Sequence, residues 1–424
     1  MHRVVVTGLG VVAPNGANVA AFESALRAGK SGVTLQPRMT ELRLACQVAG
    51  TPTIDKSVIE STFRESITRV MNSSMMFAGL AAIECWRDAG FTYRPDEDTA
   101  IDWDTGAIIG TGFGGIDTVG DRLVPTTNAG EARKLGSTMP EQTMGSAPSA
   151  FVGGLLGLGG IVTTVSSACA TGTEAVVHAF ERIQSGRATR ILAGSTEGSS
   201  VFIWASFDAM RVCCRTHNDS PEKASRPMSA TAAGFVPAAG AGALMLESLE
   251  SAQARGARIY AEVLGGAMNS GGQRNGGTIT ASNSEGAQRC IKQALSAAGV
   301  PGNSIDYVNG HLTATIADPK EIANLMAALD RTCDTFPLVN STKSMIGHAL
   351  GASGAIECVA TVLQLHGGYV HPSINCEDIH KKLHGIQSRI PTISTSAAIS
   401  TALKVSFGFG DVNACIIFRK WGPQ

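Results

Sequence analysis

Ile161-Val162-Thr163-Thr164-Val165 runs into Ser166-Ser167-Ala168-Cys169-Ala170-Thr171-Gly172, and the architecture of this chain can be read outward from that junction. The opening residues form a β-branched, strand-like run. Beyond the small residues, Ala175, Val176, Ala179, Phe180 and Ile183 recur on one helical face. A buried strand that turns directly into an amphipathic helix is the repeating unit of layered α/β folds. Further strands are expected at Val4–Thr7, Ala107–Gly110, Ile191–Ala193, Ala243–Leu246, Ile259–Gly265, Tyr307–Val308, Leu338–Asn340 and Ala414–Phe418. Helices are expected at Val19–Ala28, Ser73–Ala89, Ala170–Ser185, Ser284–Ala298, Lys320–Leu329 and Gly354–Leu365. Residues 30–65, 117–145 and 200–232 read as loops or excursions from the sheet.

The 424 residues carry 34 Lys+Arg against 35 Asp+Glu, a formal net charge of −1. Nucleic-acid binding needs a clustered cationic surplus, so this balance argues against that class. With 44% hydrophobic and 16% charged residues the chain is not disordered, and its length fits two or three domains or two large halves sharing a core. Aromatics are only 5%, so the core is built from Ala, Val, Leu, Ile, Met and Gly, which let backbones approach closely. Low surface charge at this size hints at an oligomer. The ten cysteines show no CxxC spacing and no HExxH occurs, so no metal site is expected. Met1–Thr7 enters a strand pattern at once, which leaves no room for a targeting segment and implies reduced thiols in the cytoplasm. The longest apolar stretch, 151–165, falls short of the roughly 20 residues of a membrane span.

Gly8-Leu9-Gly10-Val11-Val12-Ala13 formally fits a dinucleotide-binding fingerprint, but Pro14 follows at once and no acidic residue ends a second strand at the required distance. Two weak internal echoes are visible instead. Val165–Ala170 resembles Val339–Lys343 in leading a strand toward a small-residue helix, and Val4–Gly10 resembles Ala261–Ala267. Both imply related halves meeting near residues 250–258.

Cys169 stands apart from the other cysteines because it sits where a strand meets a helix. There the helix dipole and free N–H groups should depress its pKa and favour the thiolate. His311, in Tyr307-Val308-Asn309-Gly310-His311, and His348, in Ser341-Thr342-Lys343-Ser344-Met345-Ile346-Gly347-His348, each occupy a strand-to-helix turn, where catalytic groups of layered α/β folds collect.

With Ser167–Gly172, Val5–Gly10, Ala224-Ser225-Arg226-Pro227, Asn340–Gly351 and Ser406-Phe407-Gly408-Phe409-Gly410, the chain resembles, nearly end to end, the elongating β-ketoacyl-[acyl carrier protein] synthases of the thiolase superfamily. The resemblance implies an α/β, five-layered αβαβα thiolase-like fold with two pseudo-symmetric halves, 1–255 and 256–424. It implies an acyltransferase that carries out decarboxylative condensation. Cys169 would hold the acyl chain; His311 and His348 would stabilise the enolate of a malonyl thioester. Lys343 and Glu357 would support them, and Phe409 would supply an oxyanion N–H and a gate. Phe113 would line the far end of the acyl pocket, and Arg69, Arg133, Lys134 and Arg211, with Arg64 a further candidate, would receive an acidic acyl carrier protein. No resident cofactor is implied, because 4′-phosphopantetheine arrives on the carrier. The implied assembly is a homodimer built on Ile161–Val165, or a heterodimer with a homologous chain-length subunit.

Some positions depart from the family pattern. His-Gly-Thr-Ser-Thr becomes His311-Leu312-Thr313-Ala314-Thr315, Asp318 comes one place early, and Phe-Gly-Gly-Thr-Asn becomes Phe409-Gly410-Asp411-Val412-Asn413. Gly-Asp-Gly-Ala-Gly becomes Ala238-Ala239-Gly240-Ala241-Gly242. These changes mark a divergent branch. A thiolase reading fails at its second cysteine, since Cys415 is followed by Ile416 and Ile417 within a strand pattern.

Overall fold

The computed structural model describes residues 1–93 and 100–422. Its main sheet holds β1 (Val4–Val12), β2 (Thr105–Gly110), β3 (Val162–Thr163), β4 (Arg190–Glu197), β5 (Gly240–Ser248), β6 (Ala261–Ser270), β7 (Tyr307–Asn309), β8 (Leu338–Asn340), β9 (Thr401–Gly408) and β10 (Val412–Lys420). They lie in the order β8-β7-β9-β10-β6-β1-β5-β4-β2-β3. Outward from the centre, β1-β5-β4-β2-β3 is matched by β6-β10-β9-β7-β8. The pairing senses match as well: in each half the two inner pairings are antiparallel and the two outer ones parallel. The halves join where Val4–Val6 of β1 runs antiparallel to Ala261–Val263 of β6, the segments whose sequences echo each other.

The helices are α1 (Val19–Ala28), α2 (Ser73–Asp88), α3 (Ala147–Leu156), α4 (Thr171–Gln184), α5 (Val201–Ala209), α6 (Ser284–Ala298), α7 (Asp318–Leu329) and α8 (Ser353–Gly367). They follow the same repeat, with α2, α3 and α4 corresponding to α6, α7 and α8. Helices α2 and α3 cover the outer face of the first half-sheet, and α6 and α7 that of the second. Between the half-sheets α4 and α8 pack together, giving five layers. The buried face of α4 includes Ala175, Val176, Ala179, Phe180 and Ile183, as its spacing requires.

Gly8 and Gly10 belong to β1 and not to a phosphate-binding turn. A Cβ at Gly10 would stand 1.9 Å from the Ala81 carbonyl, and one at Gly8 2.4 Å from that of Cys85, so both glycines let α2 lie directly on the strand. Six elements differ from the sequence expectation. Helix α5 lies within the supposed excursion 200–232, and short helices at Val124–Asn128 and Met139–Thr143 lie within 117–145. Helix α3 occupies a stretch for which no element was expected; Pro148 falls in its first turn, where no amide donor is needed. Strand β9 went unread because Lys404 breaks its apolar run, and β3 is shorter than Ile161–Val165.

Candidate active site

Cys169 sits in a 3₁₀ turn, Ala168–Ala170, between β3 and α4. Ala168 there has φ +49, a left-handed conformation that costs a non-glycine residue energy and collects at functional sites. The turn is braced by Thr171, whose Oγ1 accepts from the Ser167 N–H at 2.8 Å and donates to the Ala168 carbonyl at 2.7 Å. The counterpart turn, Leu350–Ala352 ahead of α8, repeats the device, with Leu350 also at φ +49. Before it the second half inserts a short helix, Lys343–Ile346, followed by His348.

These elements bring together the three residues singled out in the sequence. Cys169 Sγ and ring nitrogens of His311 and His348 lie within 4.8 Å of one another, in the one cluster of metal-capable side chains found among the described residues. All three are buried. Lys343 Nζ lies 3.5 Å from His311 Nδ1. Because an ammonium can only donate, Nδ1 accepts and the ring proton sits on Nε2. His348 shares a 2.9 Å hydrogen bond through Nδ1 with Ser353 Oγ, and its backbone N–H donates to Val236. Burial, reinforced by the charge of Lys343, holds both histidines well below the ordinary imidazole pKa, so they are neutral N–H donors at neutral pH. Lys343 is fully buried and bonded to Glu357 Oε1 at 2.5 Å, with Lys404 2.9 Å from Oε2 of the same carboxylate.

The thiol departs from the sequence expectation. Burial pushes Cys169 up to about 11, against the opposing pull of the Lys343 charge and a hydrogen bond from the Phe409 N–H. Desolvation outweighs the favourable position at the helix entrance.

The loop after β7 that carries His311 is held by two buried acids on α7. Glu321 accepts the N–H groups of His311 at 2.6 Å and Leu312 at 2.8 Å; Asp318 accepts those of Thr313 at 2.9 Å and Ala314 at 3.2 Å. Leu312 and Ala314 have φ +20 and +63, so at the family's glycine position this chain bears a leucine in a conformation that suits glycine.

A cavity of about 360 Å³ opens onto the cluster, lined by Phe207, Phe235, Phe407, Phe409 and Leu350, with Thr280, Ile316 and Lys320 toward solvent. A thiol beside two neutral N–H donors and buried ammonium groups, in a mostly apolar cavity, can hold an acyl chain and stabilise negative charge on a carbonyl oxygen.

Residues 1–252 match the β-ketoacyl synthase N-terminal domain and 260–377 the β-ketoacyl synthase C-terminal domain. The chain belongs to the β-ketoacyl synthase family. It is 35% identical over 422 residues to 3-oxoacyl-[acyl-carrier-protein] synthase 1 of Haemophilus influenzae, covering 99% of this chain and 100% of the relative. A β-ketoacyl synthase from Burkholderia phymatum superposes with TM-score 0.89 at 30% identity over the full length of both chains. A type II polyketide ketosynthase, solved with its acyl carrier protein and bound to the hexaketide, superposes with TM-score 0.87 at 31% identity, covering 99% of this chain and 100% of that one. The protein is thus a condensing enzyme of the acyltransferase class, with the thiolase-like layered fold.

Among the other residues singled out in the sequence, Lys343, Glu357 and Phe409 join this synthase's cluster, whereas Phe113 lies outside its cavity. Phe113 is 43% exposed in a separate groove with Ser146, Ser149, Val162 and Thr163, and its ring stands edge-on to Phe207, which in turn meets Phe409 at 6.0 Å. Arg64, Arg69, Arg133, Lys134 and Arg211 are all exposed; Arg69 pairs with Glu65 and Lys134 with Glu131. Sequence reasoning gave no role to Lys404, Ser353, Glu321 or Glu197. Glu321 had a legible signal, since it shares the first turn of α7 with Asp318; the others are joined to the site only by the fold.

Proposed function

We propose that Cys169 takes an acyl group from an acyl-carrier thioester: the sulfur forms the new bond to the acyl carbon and the carrier's thiol leaves. Malonyl on a carrier protein then binds, and cleavage of its carbon–carbon bond releases CO₂ and leaves an enolate whose oxygen accepts from His311 and His348. The enolate carbon attacks acyl-Cys169, with the oxyanion held by the N–H groups of Cys169 and Phe409. Collapse expels the Cys169 thiolate and yields β-ketoacyl carrier protein. The observation that carries this reading is the convergence of Cys169 Sγ with two neutral imidazoles within 4.8 Å. No resident metal or cofactor would be required, and the enzyme would act in the cytoplasm, in fatty-acid or polyketide synthesis. No helix among the described residues is long and apolar enough to cross a membrane.

The exposed basic residues Arg69, Arg133, Lys134 and Arg211 are proposed to receive the acidic carrier. Pairing of β3, an edge strand, with a second copy or a homologous chain-length subunit would complete the assembly. The test is intact-mass spectrometry after incubation with acyl carrier proteins bearing different chains. A single acyl adduct that maps to Cys169 is expected; an adduct elsewhere would overturn the reading.

A further inference from the structure

Lys404 is fully buried on β9, donates to the Val405 carbonyl, and stands two residues before Ser406-Phe407, whose ring lies edge-on to His311 at 6.2 Å. With Lys404 at Oε2 and Lys343 at Oε1, a single carboxylate, Glu357, serves two buried ammonium groups. The other acids that reach this cluster, Glu321 and Glu197, have their oxygens occupied by backbone N–H groups, and neither forms an ion pair with Lys343 or Lys404. His311 and His348 are neutral, and burial holds Cys169, Cys358 and Cys415 in the thiol form, so none of them adds a negative charge at neutral pH. A buried cation without its own counter-ion is costly until an anion arrives.

We propose that Lys404 is a positioning residue that leaves the cavity of Cys169, His311 and His348 with one unmatched positive charge, and that this charge favours carboxylate-bearing substrates over neutral thioesters of similar size. By occupying one oxygen of Glu357, Lys404 prevents that carboxylate from neutralising Lys343, whose ammonium faces His311 at 3.5 Å. The inference rests on Cys169 being the nucleophile.

Iodoacetate and iodoacetamide alkylate the same thiolate with loss of iodide, have similar size, and differ by one negative charge. The ratio of their rates at Cys169, followed by peptide mapping, therefore reads local charge and cancels changes in thiol ionisation or access. Lys404→Met should lower the iodoacetate-to-iodoacetamide ratio about tenfold, the scale of a unit-charge interaction in a partly screened interior. Lys404→Arg should keep the ratio within twofold of wild type. The double variant Lys404→Met/Glu357→Gln removes one charge of each sign and should restore the wild-type ratio, an outcome that a merely structural role does not predict. It also provides the test should the single variant not fold. An unchanged ratio in Lys404→Met, or a low ratio in the double variant, would overturn the inference. Alkylation of wild type away from Cys169 would instead remove the nucleophile reading beneath it.

Discussion

The surroundings of Cys169, the proposed nucleophile, oppose its ionisation. With the thiol pushed up to about 11 and the histidines held well below the usual imidazole range, acyl loading should climb about tenfold per pH unit between roughly pH 6 and 9, with no inflection near 6.5. Stopped-flow acylation of Cys169 across that range provides the check; a plateau beginning near pH 7 would show that the thiol is already ionised there. Cys169→Ala should abolish acyl loading, since no other thiol among the described residues lies with two histidines within 4.8 Å. Retained adducts by intact mass would relocate the nucleophile. His311→Ala and His348→Ala should spare loading and cut condensation by two to three orders of magnitude, about 3–4 kcal/mol for a well-placed donor in a dry site. Condensation assays with pre-acylated enzyme separate the two steps, and defects below fivefold in both variants would assign the enolate to other groups.

Strand ends and helix starts place these side chains, and buried acids hold the connecting loops. Glu197, at the end of β4, accepts the N–H groups of Gly112, Phe113 and Gly351, so one carboxylate ties the loop after β2 to the turn before α8. Burial pushes Glu197 up to about 7 from an ordinary 4.5. A folded pKa above the unfolded one contributes stability that is fully present below pH 4.5 and lost as pH rises through 7. The loss is on the order of 3 kcal/mol. Glu197→Gln lacks this titration, so the stability advantage of wild type over the variant should shrink as pH rises from 5 to 8; any constant cost of the amide cancels in the comparison. Urea denaturation at both pH values measures it, and a pH-independent difference would mean that Glu197 is ionised throughout. What the sequence made legible follows the same division. Cys169, His311 and His348 could be found because each follows a strand and precedes a helix, a local pattern. Lys404 and Glu197 could not, because their partners lie on elements distant in sequence, Glu357 on α8 and Gly351 before it. Strand β9 was hidden by Lys404 itself, a charge that reads as exposed until the fold supplies its carboxylate.

The ten-stranded sheet ends at β3, only two residues long, paired on one side with β2 and open on the other. An open edge with apolar neighbours calls for a partner. Val162 is 37% exposed on the strand, Ile101 and Trp103 are 51% and 72% exposed beside Gly159, and Phe113 shares the groove of Val162. A second copy set against β3 would extend the sheet and roof that groove, bringing Phe113 into the interior. Its ring would then stand behind Phe207 and Phe409, where it would block an acyl chain that left the cavity of Cys169 on that side. Each methylene shut out of an apolar channel forfeits about 0.8 kcal/mol. The intact assembly should therefore load short primers readily and long ones poorly, and Phe113→Ala should extend the accepted chain by several carbons. Val162→Glu, which sets like charges against each other across a two-fold contact at β3, should dissociate the pair and relax the length limit even with Phe113 in place. Sedimentation equilibrium paired with mass spectrometry of acyl loading tests both variants together. Efficient loading of a sixteen-carbon primer by wild type would remove Phe113 as the barrier. A Val162→Glu protein that stays dimeric would move the interface away from β3.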